Sequence, residues 1–232
     1  MDLLKNSLPT MTASEKSLGV RYLLFQICFL GALLQQVNAL LAHPLSIAMV
    51  NFLYYAINAI ATLAIFSRFM KKNLLRTLRF PKEIFLGVAV GFAVYWLCSS
   101  LVTTAITVLF PDYNNLNDSQ IWVLTGSDPV FMVLGTVLLA PIAEELLHRG
   151  LIFGNLYVKK PVMAYALSAL TFSAIHVISY IGIYPAGFLL LALVQYLPAG
   201  LIFAWSYQRS GSIFTPMLIH IVNNAVVFIT AR

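Results

Sequence analysis

Three short runs of this sequence hold the residue types that hydrolyse amides. Ala140 to Gly150 reads APIAEELLHRG, Phe172 to His176 reads FSAIH, and His220 to Asn224 reads HIVNN. Together they offer carboxylates, histidines and a carboxamide, a set suited to hydrolysis by activated water. One base takes the water's proton, and hydrogen-bond donors stabilise the oxyanion formed at the attacked carbonyl. On a helix, positions i and i+4 share a face. That rule pairs Glu145 with Arg149, Glu144 with His148, Phe172 with His176, and His220 with Asn224. Arg149 neutralises Glu145 locally, which leaves Glu144 as the carboxylate without a dedicated cation and therefore the candidate base.

Other hydrolytic chemistries lack their material. There is no HExxH helix and no His-Glu dipeptide, and no serine stands in a G-x-S-x-G run. Every Asp lies outside the apolar segments, so an aspartyl dyad has no source. Glu145-x-x-His148 fits half of a di-iron carboxylate site, but the remaining glutamates, Glu15 and Glu83, also lie outside those segments.

The elements that must position these residues follow from composition. Of 232 residues, 60% are hydrophobic and 9% charged, with a mean hydropathy of +0.87. Soluble domains carry roughly 25% charge, so an ordinary soluble protein is excluded. The expected fold is all-α: a multi-pass transmembrane bundle of about seven helices, seven to eight, over 22–42, 46–67, 84–110, 131–157, 161–182, 186–207 and 211–230. No alternating strand pattern supports a β-barrel. Residues 1–20 read as a short cytoplasmic tail, too polar for a signal peptide, and 21–232 as one transmembrane domain.

Glu144, Glu145, His148, Arg149, His176 and His220 all fall in the fourth, fifth and seventh segments. A charge at the bilayer centre costs at least ~2.5–3.5 kcal/mol, so these groups should face one another or a wet cavity. Counted at ~1.5 Å per residue from the inner helix ends, they reach compatible depths and can meet. Pro141 and Pro216 each precede a site residue within one turn and are expected to bend their helices and free carbonyls there.

Twelve of the fourteen Lys and Arg residues fall on one side: Lys5, Lys16, Arg21, the 68–82 stretch, Lys159, Lys160 and Arg209. The positive-inside rule then puts the N-terminus in the cytoplasm and the C-terminus outside, with Arg232 dissenting. The basic charge thus marks topology, not a nucleic-acid surface. The 68–82 stretch reads first as a topology anchor and second as a segment lying on anionic lipid. Cys28 and Cys98 form no CxxC pair. Asn117-Asp118-Ser119 is a glycosylation sequon that matters only in a eukaryotic secretory pathway. Gln35, Gln36, Asn38, Asn51 and Asn58 read as interhelical hydrogen-bonding residues. Gly87-x-x-x-Gly91 and Gly150-x-x-x-Gly154 read as close-packing pairs.

The three runs, in this order, resemble the EExxxR, FxxxH and HxxxN motifs of the CPBP family, the CAAX prenyl protease and bacteriocin-processing group. The resemblance covers 130–230. It implies an intramembrane endopeptidase with a cavity open to the cytosol, cutting near the cytoplasmic membrane face. By that resemblance Glu144 and His176 activate water, His220 and Asn224 stabilise the oxyanion, and Glu145 with Arg149 holds the architecture, beside Phe172. His148 replaces a residue that is commonly aromatic in the family. It reads as a cavity-lining histidine, or as a zinc ligand with His176, His220 and Glu144 around an open position. The preferred reading needs no cofactor. The expected partners are a peptide or membrane-protein substrate and the bilayer of the cell membrane, with no nucleic acid. The competing readings are a non-catalytic peptide-binding or bacteriocin self-immunity protein using the same pocket, and a proton-coupled transporter, against which the lack of internal repeats counts.

Overall fold

The computed structural model describes residues 8–115, 119, 121, 124, 126 and 128–230. Lys5, Asn117, Asp118 and Arg232 lie outside the described residues, as do the first seven residues of the expected tail. Among the described residues there are no strands. The helices are α1 (Ala13–Ala39), α2 (Ile47–Ile65), α3 (Ser67–Arg79), α4 (Pro81–Leu109), α5 (Pro129–Leu156), α6 (Pro161–Ile175), α7 (Ala186–Ser210) and α8 (Phe214–Thr230). Five of them, α1, α2, α4, α5 and α7, are long and apolar enough to cross a membrane, while α6 and α8 are shorter. The chain is an all-α, multi-pass membrane protein.

Each expected segment has its helix, but three boundaries move for identifiable reasons. Helix α1 starts nine residues early because the polar stretch before Arg21 is its cap. Thr12 Oγ1 accepts from Glu15 N at 3.2 Å and Glu15 Oε2 accepts from Thr12 N at 2.7 Å, a reciprocal capping box. The other Glu15 oxygen accepts from Phe69 N at 2.8 Å, tying the start of α1 to α3. Helix α6 stops at Ile175, seven residues before the expected end of that span. His176 is its C-cap, and the chain continues through a 3₁₀ turn at Ile178–Tyr180. The apolar run persists past the helix because Val177 and Tyr180 are themselves buried. Helix α8 starts at Phe214, after Gly211 takes φ +69° to close α7. Pro216 therefore sits in the first turn of α8, where its missing N–H breaks no bond. The expectation that it bends a helix interior does not hold.

The 68–82 stretch is not a simple connector. As α3 it buries Phe69 and Asn73. Asn73 Oδ1 accepts from Ile213 N at 2.9 Å, Thr77 and Ser212 hydroxyls meet at 2.7 Å, and Lys72 Nζ donates to Thr10 O at 2.9 Å. Leu74, Leu75 and Leu78 remain exposed on its other face. These bonds gather the start of α1, all of α3, the α7–α8 turn and their basic residues at one end of the bundle. The core at that end is built from residues such as Phe66, Phe69, Leu146, Phe153, Tyr207 and Met217. A second core, containing Tyr95, Phe172, Ile202, Phe203 and Ile219, supports the site residues.

Several polar residues read as interhelical do bond that way. Tyr22 OH donates to Asn58 Oδ1 at 2.8 Å, linking α1 to α2, and Asn51 Nδ2 reaches Met132 Sδ at 3.6 Å. Asn38 instead braces its own loop through two bonds to the Leu45 backbone. The glycine pairs also mark close approaches. A Cβ on Gly91 would meet the Ile219 side chain, and one on Gly150 would meet Met11 at 2.9 Å.

Candidate active site

Helix α5 carries both glutamates on a short α-helical stretch, Ala140–Glu145, between two π-helical ones, Val133–Leu139 and Leu146–Phe153. A π-turn absorbs a missing donor, and Pro141 directly follows the first. The arrangement presents Glu144 and Glu145 to different surroundings. Glu145 is fully buried, whereas Glu144 keeps 16% of its side chain exposed.

Glu145 is the hub of a buried network. Its Oε1 accepts from Arg149 Nη1 at 3.1 Å and from His220 Nδ1 at 3.0 Å. Arg149 Nη2 continues to Ala199 O at 2.9 Å and Gly200 O at 3.3 Å on α7. The guanidinium lies over the Phe172 ring, 4.3 Å from its centroid, and near Phe203 at 5.2 Å. The sequence pairing of Glu145 with Arg149 thus holds, and the pair locks α5, α6, α7 and α8 together.

Glu144 is placed differently. His176 Nε2 and His220 Nε2 each lie 3.9 Å from the same oxygen, Glu144 Oε2, which is buried and has no hydrogen-bond partner. Both imidazoles are oriented from behind. His176 Nδ1 donates to Phe172 O at 2.8 Å, since a carbonyl only accepts, and His220 Nδ1 donates to the Glu145 carboxylate. Each ring therefore turns Nε2 toward Glu144. Tyr196 stacks on His176 at 4.3 Å, and Phe172 packs edge-on to His220 at 5.7 Å. Asn224, one turn beyond His220, donates from Nδ2 to Thr136 O at 2.9 Å. Its amide has a second hydrogen.

His148 does not join this group. Thr171 Oγ1 spends its proton on Leu167 O at 2.7 Å, so His148 Nδ1 donates to Thr171 at 3.1 Å. The ring is buried against Phe172, 5.5 Å away, and is not among the described residues lining the cavity. Sharing a helix face with Glu144 did not fix what that face meets, and helix α6 covers it. Among the described residues, no three or more His, Cys, Asp or Glu side chains are grouped to hold a metal ion. Of the four residues in the zinc set sketched from sequence, His148 stands apart from Glu144, His176 and His220.

A cavity of about 930 Å³ contains Glu144, His176, His220, Asn224 and Phe172 on its wall. It is also lined by Asn51, Tyr54 and Tyr55 of α2, Ser99 and Thr103 of α4, and Gln195 and Tyr196 of α7. Residues 126–226 match the family model for type II CAAX prenyl endopeptidase Rce1-like proteins. This segment is similar to that family. No curated protein and no solved structure matches the chain. The match covers all three motif runs, and the matched segment lies within the membrane bundle.

Two features of this core escaped the sequence reading. Tyr196, Thr136 and Thr171 buttress the site through a ring stack, a backbone carbonyl and a hydroxyl, none with a local sequence signal. Gly200 is the second: a Cβ there would lie 2.6 Å from Ala169 Cα and 3.1 Å from Ala169 O. Backbone meets backbone at this point, where α6 and α7 cross beneath Arg149. Gly200→Ala should force the helices apart and lower stability by about 1–3 kcal/mol, read as a depressed Tm in detergent. An unchanged Tm would contradict the close approach.

The cavity lining is concentrated in one half of the bundle. From Glu144 it extends away from α3, past Ser99, Thr103, Asn115 and Ser179. The basic end and the cavity lie at opposite ends of the bundle.

Proposed function

We propose that this protein is a glutamate-dependent intramembrane endopeptidase in which Glu144 and His176 activate water. The observation that carries this reading is the pair of Nε2 atoms, each 3.9 Å from one unpaired Glu144 oxygen. That separation is too long for a direct hydrogen bond and suits a water held at about 2.8 Å from both the carboxylate and His176 Nε2.

The reaction proceeds without a metal. Glu144 takes one proton from the water as its oxygen attacks the scissile carbonyl carbon, and the C=O electrons move to the oxygen. The oxyanion accepts from the second Nδ2 hydrogen of Asn224 and from a proton on His220 Nε2. Glu145, bonded to His220 Nδ1, supports the positive charge of a doubly protonated ring and orients it. The intermediate collapses with cleavage of the C–N bond, and Glu144 returns its proton to the departing amine. His176 positions the water and shares its proton. Arg149 and Glu145 act through the groups they hold.

Asn224→Ala tests the oxyanion role. It should reduce kcat by about 10²–10³-fold with little change in KM, because the lost donor acts on charge that exists only in the transition state. A variant whose loss lies wholly in KM would assign Asn224 to substrate binding. Peptide cleavage followed by mass spectrometry under single-turnover conditions separates the two.

A further inference from the structure

Helix α3 joins two spans without slack. Helix α2 ends at Ile65 and α3 begins at Ser67, while α3 ends at Arg79 and α4 begins at Pro81. Both neighbours are long and apolar enough to cross a membrane. A helix tied to two span ends by single residues sits where the hydrocarbon gives way to water. Its rotation is fixed as well. Phe69 N donates to Glu15, Asn73 accepts from Ile213 N, and the Thr77 hydroxyl meets Ser212, so one face is committed to the bundle.

The opposite face carries two strips. By helical spacing Leu74 and Leu78 stand one turn apart on one flank. Arg68, Lys72 and Arg79 gather on the other, with Lys71 and Leu75 between them. All seven are exposed. The helix contains no Asp or Glu, and the nearest acid in sequence is the exposed Glu83 beside Lys82 at the start of α4. Lys72 is spent on Thr10 O, and the Arg79 guanidinium lies 5.4 Å from the Phe80 ring centroid. Among the described residues, Arg68 and Lys71 have no hydrogen-bond or ion-pair partner.

Water suits the basic strip but not the leucines, and hydrocarbon suits the leucines but not the charges. The surface of an anionic bilayer suits both. Leucines reach the acyl boundary there, and Lys and Arg stems carry their charges up to the phosphates. The bilayer is also the neighbour at hand, because Ile60 and Leu63 of α2 and Phe85 and Leu86 of α4 face outward beside α3. The leucine strip continues that apolar belt, and the basic strip edges it.

We propose that α3 is a binding surface for anionic phospholipid, with Leu74, Leu75 and Leu78 in the acyl boundary and Arg68, Lys71 and Arg79 against headgroup phosphates. The inference stands apart from the endopeptidase reading and does not depend on it. Each basic residue held near an anionic membrane surface strengthens binding by roughly fivefold.

Purified full-length protein in neutral detergent is titrated with phosphatidylglycerol or phosphatidylcholine, and bound lipid is read by native mass spectrometry. Phosphatidylglycerol is expected to bind at least about tenfold more tightly. The triple variant Arg68→Gln, Lys71→Gln, Arg79→Gln should weaken phosphatidylglycerol binding by about 10–100-fold and keep the wild-type Tm, because all three side chains are exposed. Lys159→Gln with Lys160→Gln removes exposed charge elsewhere and should leave the preference unchanged. An equal loss in that control, or no preference in wild type, overturns the inference. Displacement of phosphatidylglycerol by millimolar inorganic phosphate would assign the strip to a soluble anion and overturn it too.

Depth is read separately. A spin label is attached to Leu75→Cys in a Cys28→Ser, Cys98→Ser background, and the protein is reconstituted in phosphatidylglycerol vesicles. The label is expected to collide more with oxygen, which concentrates in lipid, than with a water-soluble nickel chelate. Greater exposure to the chelate would put this face in water, open to a soluble partner, and would overturn the lipid assignment.

Discussion

Glu144→Gln should abolish peptide cleavage and leave the fold intact. Glutamine has the shape of the carboxylate but cannot take a proton from water, and loss of a positioned general base costs about 10²–10⁴ in rate. The fold should tolerate the change because Glu144 meets His176 and His220 at 3.9 Å, beyond direct hydrogen-bond range. Its Oε2 has no hydrogen-bond partner, and the two facing imidazole nitrogens stand 3.9 Å away. Their other nitrogens are bonded to Phe172 O and Glu145, so neither ring loses its orientation. Tm in detergent and elution volume should match wild type while turnover disappears. A variant that is inactive because it no longer folds would place Glu144 among the structural residues instead.

Arg149→Ala should have the opposite signature, a collapse of stability from which loss of activity follows. Arg149 is completely buried and binds one carboxylate and two α7 carbonyls while lying against two aromatic rings. Truncation leaves the buried Glu145 charge with its His220 Nδ1 bond and without its guanidinium. Breaking a buried pair from one side costs about 3–5 kcal/mol, a large share of the stability of most domains. His220 also suffers, because the carboxylate that orients it loses its second anchor. Thermal unfolding in detergent measures the effect. Arg149→Lys keeps the charge but not the fork, and should recover only part of the loss. An Arg149→Ala protein with wild-type Tm would refute the structural role of the pair.

The contrast between these two glutamates was legible in the sequence, because ionisable groups are rare in apolar helices and each needs an explanation. Arg149 four residues after Glu145 gave that glutamate its partner and left Glu144 free. The helices themselves were legible for the same reason that composition was: apolar runs of membrane length have few alternatives. What stayed hidden was tertiary. The face of α5 carrying His148 was correctly paired with Glu144 by spacing, yet spacing says nothing about which helix covers a face, and Thr171 captures the ring. Hydropathy ran on past Ile175 because the turn that follows is itself apolar and buries Val177 and Tyr180. Polarity before Arg21 read as a tail because a capping glutamate and an exposed one look alike. Gly200 carries no motif, although the closest approach of α6 to α7 depends on it.

Cavity direction has a similar cause. Positive charge reports which loops face the cytoplasm, and three motif runs report which helices hold the site. Neither states how deep each side chain sits or toward which end the helices splay. That relation required the packing of α4 on α7 and α8, and of α1 on α2.

The central claim, a protease whose base is Glu144, is tested most directly on purified, metal-depleted protein. Wild type and Glu144→Gln are incubated side by side with a diverse peptide library that includes membrane-anchored segments, and products are read by mass spectrometry. The account predicts cleavages in the wild-type sample that are absent from the variant and unaffected by chelator. Identical product profiles from the two proteins would contradict it and make the cavity a binding pocket without turnover.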